Sequence, residues 1–223
     1  TSYRPLTSII ISIKWSEVIM SNNPRDRWNS RFSSDEYLFG TAPNAFLANQ
    51  KSRLAAGHRV LSIADGEGRN GVFMAQQGCD VLAVDFSSVA LAKSQALAAE
   101  RNVKINTLEV DHNKWTPDPD TYDIVVAIFV QFADPELRSK IFSDIKSALK
   151  PGGLLLMEGY RPEQIEYGTG GPPHAENMYT EEMLREAFSD LDIIELKSYD
   201  AEIDEGPGHA GLSALIDLIA IKS

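Results

Sequence analysis

Apolar and polar positions along this chain alternate between two periods, and the switches mark a regular succession of strands and helices. Residues 60–64 are a short apolar run that breaks into a glycine-bearing turn, DGEG at 65–68. Residues 70–77 read as a helix that Gly78 stops. A second apolar run, 81–84, ends on Asp85, and Ser87 or Ser88 can cap a helix through 90–101. Residues 104–110 alternate weakly as a third strand, and 117–121 read as a loop. DIVVAIF at 123–129 is β-branched and uninterrupted, as a strand buried on both faces should be. Asp134 and Pro135 open a helix on which Leu137, Ile141, Ile145 and Leu149 form one stripe. The run at 151–153, Pro-Gly-Gly, stops it, and a fifth strand follows at 154–158. Thr180 caps a helix over 180–188. Strands at 193–199 and 212–221 close the chain, joined by an acidic, glycine-rich turn at 202–211. Ahead of this series, 43–54 reads as a helix and 22–40 as an irregular polar arm with interspersed aromatics.

Regular alternation of strand and helix predicts an α/β fold, a doubly wound, mostly parallel sheet with helices on both faces. Two consecutive final strands predict an antiparallel hairpin at one edge. We expect a single domain over 22–223, with an arm at 22–54 and a core at 55–223. Residues 1–21, with the run IIISI and no acid before Glu17, read either as the remnant of a targeting peptide or as an extension ahead of a start at Met20. The second reading is the simpler one.

Composition narrows the function classes. Hydrophobic residues make up 43% and charged residues 24%, ordinary for a soluble globular chain. A net charge of −11 without a basic run argues against a nucleic-acid partner. The single cysteine, Cys79, allows no internal disulfide, fits a cytoplasmic setting, and leads into a strand as a core residue. No run approaches the roughly eighteen apolar residues that span a membrane. No metal site is expected, and the chain is expected to be a monomer or a homodimer.

The candidate chemistry gathers at the first turn. Asp85 lies about twenty residues beyond it, the interval of a nucleoside-binding βαβ unit whose second-strand acid takes the ribose hydroxyls. A lone acid ending a buried strand is costly unless such partners satisfy it. Asp65 and Glu67 inside the turn would repel a phosphate and suit a cationic ligand instead.

Several motifs resemble those of class I S-adenosylmethionine-dependent methyltransferases over about residues 55–223. They are ADGEGRN (64–70), AVDFS (83–87), LEVDH (108–112), YDIVVAIFVQF (122–132) and LKPGGLLLMEG (149–159). The resemblance implies a Rossmann-like seven-stranded fold, S-adenosylmethionine as cofactor and S-adenosylhomocysteine as product. It assigns cofactor contacts to Ala64, Asp65, Gly66, Glu67, Gly68, Asn70, Asp85, Phe86, Ser87, Asp111, His112 and Ile128. RWNSRFSSDEYLFGTAPNAFL (27–47) and EGYRPEQIEYGTGGP (158–172) look like the tellurite-resistance and thiopurine-like methyltransferases. Two positions depart from the family. Ser62 stands where an acid is usual, and Ala64 where the first glycine is usual, so the backbone at 64 is expected to do without positive φ or to pass the ligand farther off. Asp65 is the substitute acid, displaced by three residues.

Methyl transfer from sulfonium is an in-line displacement that mainly needs alignment and exclusion of water. A thiol, selenium or tellurium acceptor needs no general base, whereas an alcohol or ammonium does. His174, His209 and Glu158 are the candidate bases, each with a structural alternative. Trp28, Phe32, Tyr37 and Phe39 suggest a lid over the cofactor. Candidate acceptor contacts are Trp28, Arg31, Tyr37, Gln131, Phe132, Tyr160, Arg161 and Tyr167. The leading expectation is a methyltransferase acting on a small soft nucleophile. The alternatives are an O- or N-methyltransferase of a small metabolite and a non-catalytic S-adenosylmethionine-binding protein.

Overall fold

The computed structural model describes residues 24–206 and 208–223. Seven strands form one sheet: β1 (Arg59–Ile63), β2 (Asp80–Asp85), β3 (Asn106–Glu109), β4 (Tyr122–Ile128), β5 (Leu149–Tyr160), β6 (Leu191–Asp204) and β7 (Ala210–Lys222). Their order is β3-β2-β1-β4-β5-β7-β6. The first five run parallel, and β7 joins antiparallel to both β5 and β6. This is the doubly wound sheet with a C-terminal hairpin that the alternation predicts. The helices are α1 (Pro24–Arg31), α2 (Ala45–Asn49), α3 (Arg69–Gln76), α4 (Ser88–Glu100), α5 (Pro135–Ala148), α6 (Gln164–Tyr167) and α7 (Glu181–Ala187).

Residues of β1, β4 and β5 alternate between two apolar layers. Val60, Ile124, Val126 and Leu156 pack with Leu47 of α2, Met74 of α3 and Leu97 of α4. Leu61, Val125, Leu155 and Met157 pack with Ile141 and Ile145 of α5 and Leu184 of α7. The central strands are therefore apolar on both sides over most of their length, because both faces are covered. The caps fall where the sequence supplies them: Ser87, Asp134 and Thr180 each accept a backbone N–H from the first turn of their helix. Cys79 is buried, as expected.

Four details differ from expectation. Residues 24–31, read as irregular, form α1, which carries few apolar residues and is held by contacts with the core. The helix expected over 43–54 is shorter: α2 ends at Asn49 and a 3-10 turn covers Lys51–Arg53. The helix α5 ends at Ala148, before the Pro-Gly-Gly run expected to stop it, and β5 begins at once with Leu149 pairing Tyr122 before a register shift, so the run lies within the strand. The final strands extend to Asp204 and from Ala210, so the expected ten-residue turn shrinks to a few residues. The expected extension at 1–21 lies outside the described residues. Among the described residues no helix is long and apolar enough to cross a membrane.

Candidate active site

The strand order reverses between β1 and β4, and ligands of open α/β sheets sit at the carboxyl ends of the strands beside such a point. The turn from β1 to α3 fills this edge. Ala64 adopts φ 51° and Gly66 φ 61°, so the expectation that position 64 avoids positive φ is corrected. The turn's hydrogen bonds, Asp65 N to Val84 O at 3.1 Å and Gly68 N to Asp65 O at 3.2 Å, impose the left-handed geometry, and alanine is the smallest side chain that can bear it. Gly68, at φ 94°, has no room for a Cβ, which would collide with Ser94 of α4.

Two buried acids flank the turn. Asp85 accepts Gly66 N at 3.0 Å and Ser87 N at 2.9 Å. Burial pushes its carboxyl up to about 6. Asp65 Oδ1 accepts the Ser62 hydroxyl at 2.6 Å and Gly71 N at 3.0 Å, while Oδ2 is buried with no hydrogen-bond partner. Burial pushes Asp65 up to about 6 as well. The serine that replaces the usual acid thus hands its hydrogen bond to the displaced one.

Beyond β2, Phe86 and Phe132 stack at 6.3 Å with 14° between their planes. His112 packs 5.7 Å from Phe132 and 6.0 Å from Trp115, its Nε2 buried and unpartnered. Burial, then the nearby Lys140, lowers its basicity to about 4.

The arm closes over the turn through a relay of rings. Trp28 stacks on Phe32 at 5.3 Å, Phe32 meets Phe39 at 6.3 Å, and Phe39 meets His209 at 4.5 Å. His209 lies 4.6 Å from Phe129, which lies 4.6 Å from Tyr160. Phe32 Cζ would stand 3.9 Å from a Cβ on Gly66, so the arm rests directly on the turn. Polar ties hold it there. Glu67 accepts Leu38 N at 2.8 Å and pairs with Lys93, which also donates to the carbonyls of Ser34 and Glu36. The Ser87 hydroxyl donates to Asn29 of α1 at 2.6 Å.

The profile of the methyltransferase-domain family matches residues 60–153, from β1 into the first residues of β5. This segment is thus similar to a methyltransferase domain. The sheet has the Rossmann-like fold of solved S-adenosylmethionine-dependent methyltransferases. A glycine/sarcosine N-methyltransferase of Aphanothece halophytica is 26% identical over 203 residues, 83% of this chain and 71% of that protein. Other curated relatives are matched over about half of their own length. A structure from work on conversion of a disulfide bond into a thioacetal group during echinomycin biosynthesis superposes with a TM-score of 0.72. It is 15% identical and covers 90% of this chain and 94% of its own. TehB from Haemophilus influenzae superposes with a TM-score of 0.65 at 18% identity, covering 89% of this chain and 67% of its own.

The buried residues fit S-adenosylmethionine. Asp65 Oδ2 is a buried acceptor without a protein partner, which would suit the cofactor's ammonium. Asp85 is a buried acid with lone pairs to spare for hydroxyls. Phe86, Phe132 and His112 form an aromatic recess with one unused ring nitrogen, suited to a base. Asp111, by contrast, is half exposed and bonded to Asn113. Ile128 belongs to the core. Asn70 spends its carbonyl on Asn44 N at 2.9 Å, and Glu67 is an anchor for the arm.

The expected acceptor contacts divide. Tyr160 comes together with the candidate base His209 and with Phe39 and Phe129, while Arg31 lies over the ring of Trp28. Phe132 belongs instead to the aromatic recess. Gln131 is locked by both amide atoms onto the backbone of Tyr160, at 2.7 Å each. Arg161 holds Asp200 and the carbonyl of Leu215, and the exposed Tyr167 also bonds Asp200. Tyr37 donates to Lys93 O at 3.2 Å. His174 is largely exposed beside Glu176, away from the ring relay. Gln131, Arg161, Tyr167 and Tyr37 are committed elsewhere by bonds between distant parts of the chain, which a local pattern does not reveal.

Glu158 is 2% exposed and receives Asn44 Nδ2, which also donates to Glu205 at 3.0 Å. Arg69 pairs with Glu205 at 2.7 Å. The sequence reading missed Asn44, Arg69, Glu205 and Asp217. Asp217 alone left a signal, an acid inside the apolar run LIDLIAI.

Proposed function

We propose that the protein transfers the methyl group of S-adenosylmethionine to a small soft nucleophile, a thiol or a selenium or tellurium species, in the manner of the tellurite-resistance and thiopurine-like methyltransferases. The observation that carries this reading is the want of an available base on the acceptor side. His209 is wedged among Phe39, Phe129 and Tyr160. Burial, then the charges of Arg69 and Arg31, pushes its basicity down to about 3. Glu158 is engaged by Asn44 and Tyr199, and Glu205 by Arg69 and Asn44. Among the described residues around these rings, His209 is held neutral and Glu158 and Glu205 are already engaged, which supports an acceptor such as a thiolate that needs no base.

S-adenosylmethionine, when bound, would supply an electrophilic methyl on a sulfonium and leave as the thioether S-adenosylhomocysteine, its carbon–sulfur electron pair staying on sulfur. The protein's part is placement and exclusion of water. Asp65 and Asp85 would hold the two ends of the cofactor, the arm would cover it, and Phe129 follows β4 at its carboxyl end. Phe129 is a non-glycine residue at φ 54°, backbone strain of the kind that collects at functional sites.

A second reading, N-methylation of a small amino acid, is favoured by the 26% identity to a glycine/sarcosine N-methyltransferase. Initial rates with S-adenosylmethionine against thiols, selenite and tellurite, and against glycine and sarcosine, separate the two. The first reading predicts turnover of a thiol or chalcogen species that tracks the thiolate fraction; turnover of the amines alone would contradict it.

A further inference from the structure

The sheet face built by β5, β7 and β6 carries a cavity of about 420 Å³ beside α2. Glu158 of β5 pairs with Asp217 of β7, which in turn pairs with Lys197 of β6. Two residues along the same face, Leu215 pairs with Tyr199. Phe46 of α2 and Ile203 of β6 add apolar wall, and α2 contributes no titratable group. Asp65, Asp85, Phe39, Phe129 and His209 lie outside the lining, so the cavity is distinct from the cofactor turn and the ring relay.

Its charge is one-sided. Five carboxylates line it against one ammonium, that of Lys197, which stands 4.9 Å from the centre of the Tyr199 ring. Glu205 is matched by Arg69 at 2.7 Å, and Glu195 and Glu202 are exposed and hydrated. Asp217 is neither matched nor hydrated, being 6% exposed. Apart from a proton shared with Glu158, the donor within its reach is the Tyr199 hydroxyl at 3.3 Å, which lies closer to Glu158 at 3.1 Å. Glu158 has a second donor in Asn44; Asp217 has none of its own among the described residues. A buried carboxylate in that position is costly until a proton or a cation answers it, and here it opens on a cavity. The apolar walls fit an organic cation, and among the described residues no three acids or histidines are placed to hold a metal ion.

We propose that this cavity binds a small organic ammonium, its N–H donors on Asp217 and Glu158 and its apolar body along Phe46, Ile203 and Leu215. The missing donor at Asp217 selects an ammonium that carries N–H groups over a quaternary one. The cation binds whichever acceptor the methyl group goes to.

The test is calorimetric titration of the full chain, saturated with S-adenosylhomocysteine, with n-hexylammonium and with 1-hexanol at about pH 8. The two share an alkyl chain and differ in the charged head, and an alkylammonium, like a lysine side chain, stays charged to about pH 10. The cavity predicts that the ammonium binds at least about tenfold more tightly. Asp217→Asn and Glu158→Gln should each cut that preference to about threefold or less, with affinity for S-adenosylhomocysteine unchanged as the check that each variant is folded. Glu182→Gln, which neutralises an exposed acid of α7 away from the cavity, should keep the preference in full. The ammonium should also bind more tightly at about pH 9 than at about pH 6, because it displaces the proton that Glu158 and Asp217 share. Equal affinity for the two probes, no binding of the ammonium, a preference that survives both cavity variants, or one that Glu182→Gln removes equally, would each overturn the proposal.

Discussion

Glu158 and Asp217 stand directly opposite each other on β5 and β7, and the hydroxyl of Tyr199 lies 3.1 Å from one and 3.3 Å from the other. One hydroxyl has one proton to donate, so it cannot satisfy two buried carboxylates. Burial raises both groups above the ordinary carboxylate range, the charge of Asp217 raises Glu158 further, and the pair keeps a proton between them.

The sign of the pH dependence follows. Both groups titrate higher in the folded state than in the unfolded chain. Their contribution is fully present below the ordinary carboxylate range and is lost as pH rises through the raised values. Glu158→Gln keeps an acceptor for Tyr199 and supplies a permanent donor toward Asp217. Thermal melting at about pH 5 and about pH 9 should show the variant's advantage growing with pH, to about 1–2 kcal/mol at the alkaline end. An advantage that shrinks with pH would contradict the shared proton.

Ala64 at φ 51° bears a left-handed conformation that costs a residue with a Cβ roughly 1 kcal/mol. Ala64→Gly should therefore raise the melting temperature by roughly 2–4 °C, and Ala64→Val should lower it. A lower melting temperature for the glycine variant would show that the turn is unstrained.

Lys93 holds the buried carboxylate of Glu67 and two carbonyls of the arm at once. Lys93→Ala leaves that charge without its partner and should cost about 3 kcal/mol. The arm should also become sensitive to limited proteolysis near residue 36. An unchanged cleavage pattern would mean that the arm is fastened by its rings alone.

Asp65→Asn preserves the acceptor for Ser62 and Gly71 but removes the charge at Oδ2. S-adenosylhomocysteine should bind at least about tenfold more weakly, while methylthioadenosine, which has no ammonium, should bind as before. In the parent protein the S-adenosylhomocysteine affinity should fall as pH drops through about 6. Equal losses for both ligands would reduce Asp65 to a structural role.

The fold was legible because strand and helix periods are clean from β1 through α5. It was least legible where tertiary contacts overrule the local pattern. α1 has almost no apolar stripe, yet Trp28 and Phe32 fix it to the turn. β6 is an edge strand whose alternating Ala201 and Ile203 were hidden in an acidic stretch. The two buried acids at the turn, Asp65 and Asp85, were readable because strand ends and glycine turns are local. The destination of Glu67 was not, since its partner Leu38 lies 29 residues away. Asn44 and Glu205 meet across 161 residues, which no spacing rule could reach.

The most direct test of the central claim is calorimetric titration with S-adenosylhomocysteine, with NADH as control and Asp85→Ala alongside. The account predicts micromolar or tighter binding of S-adenosylhomocysteine, none of NADH, and loss of binding in a variant that remains folded. Binding of NADH instead, or an Asp85→Ala variant that binds S-adenosylhomocysteine like the parent, would contradict it.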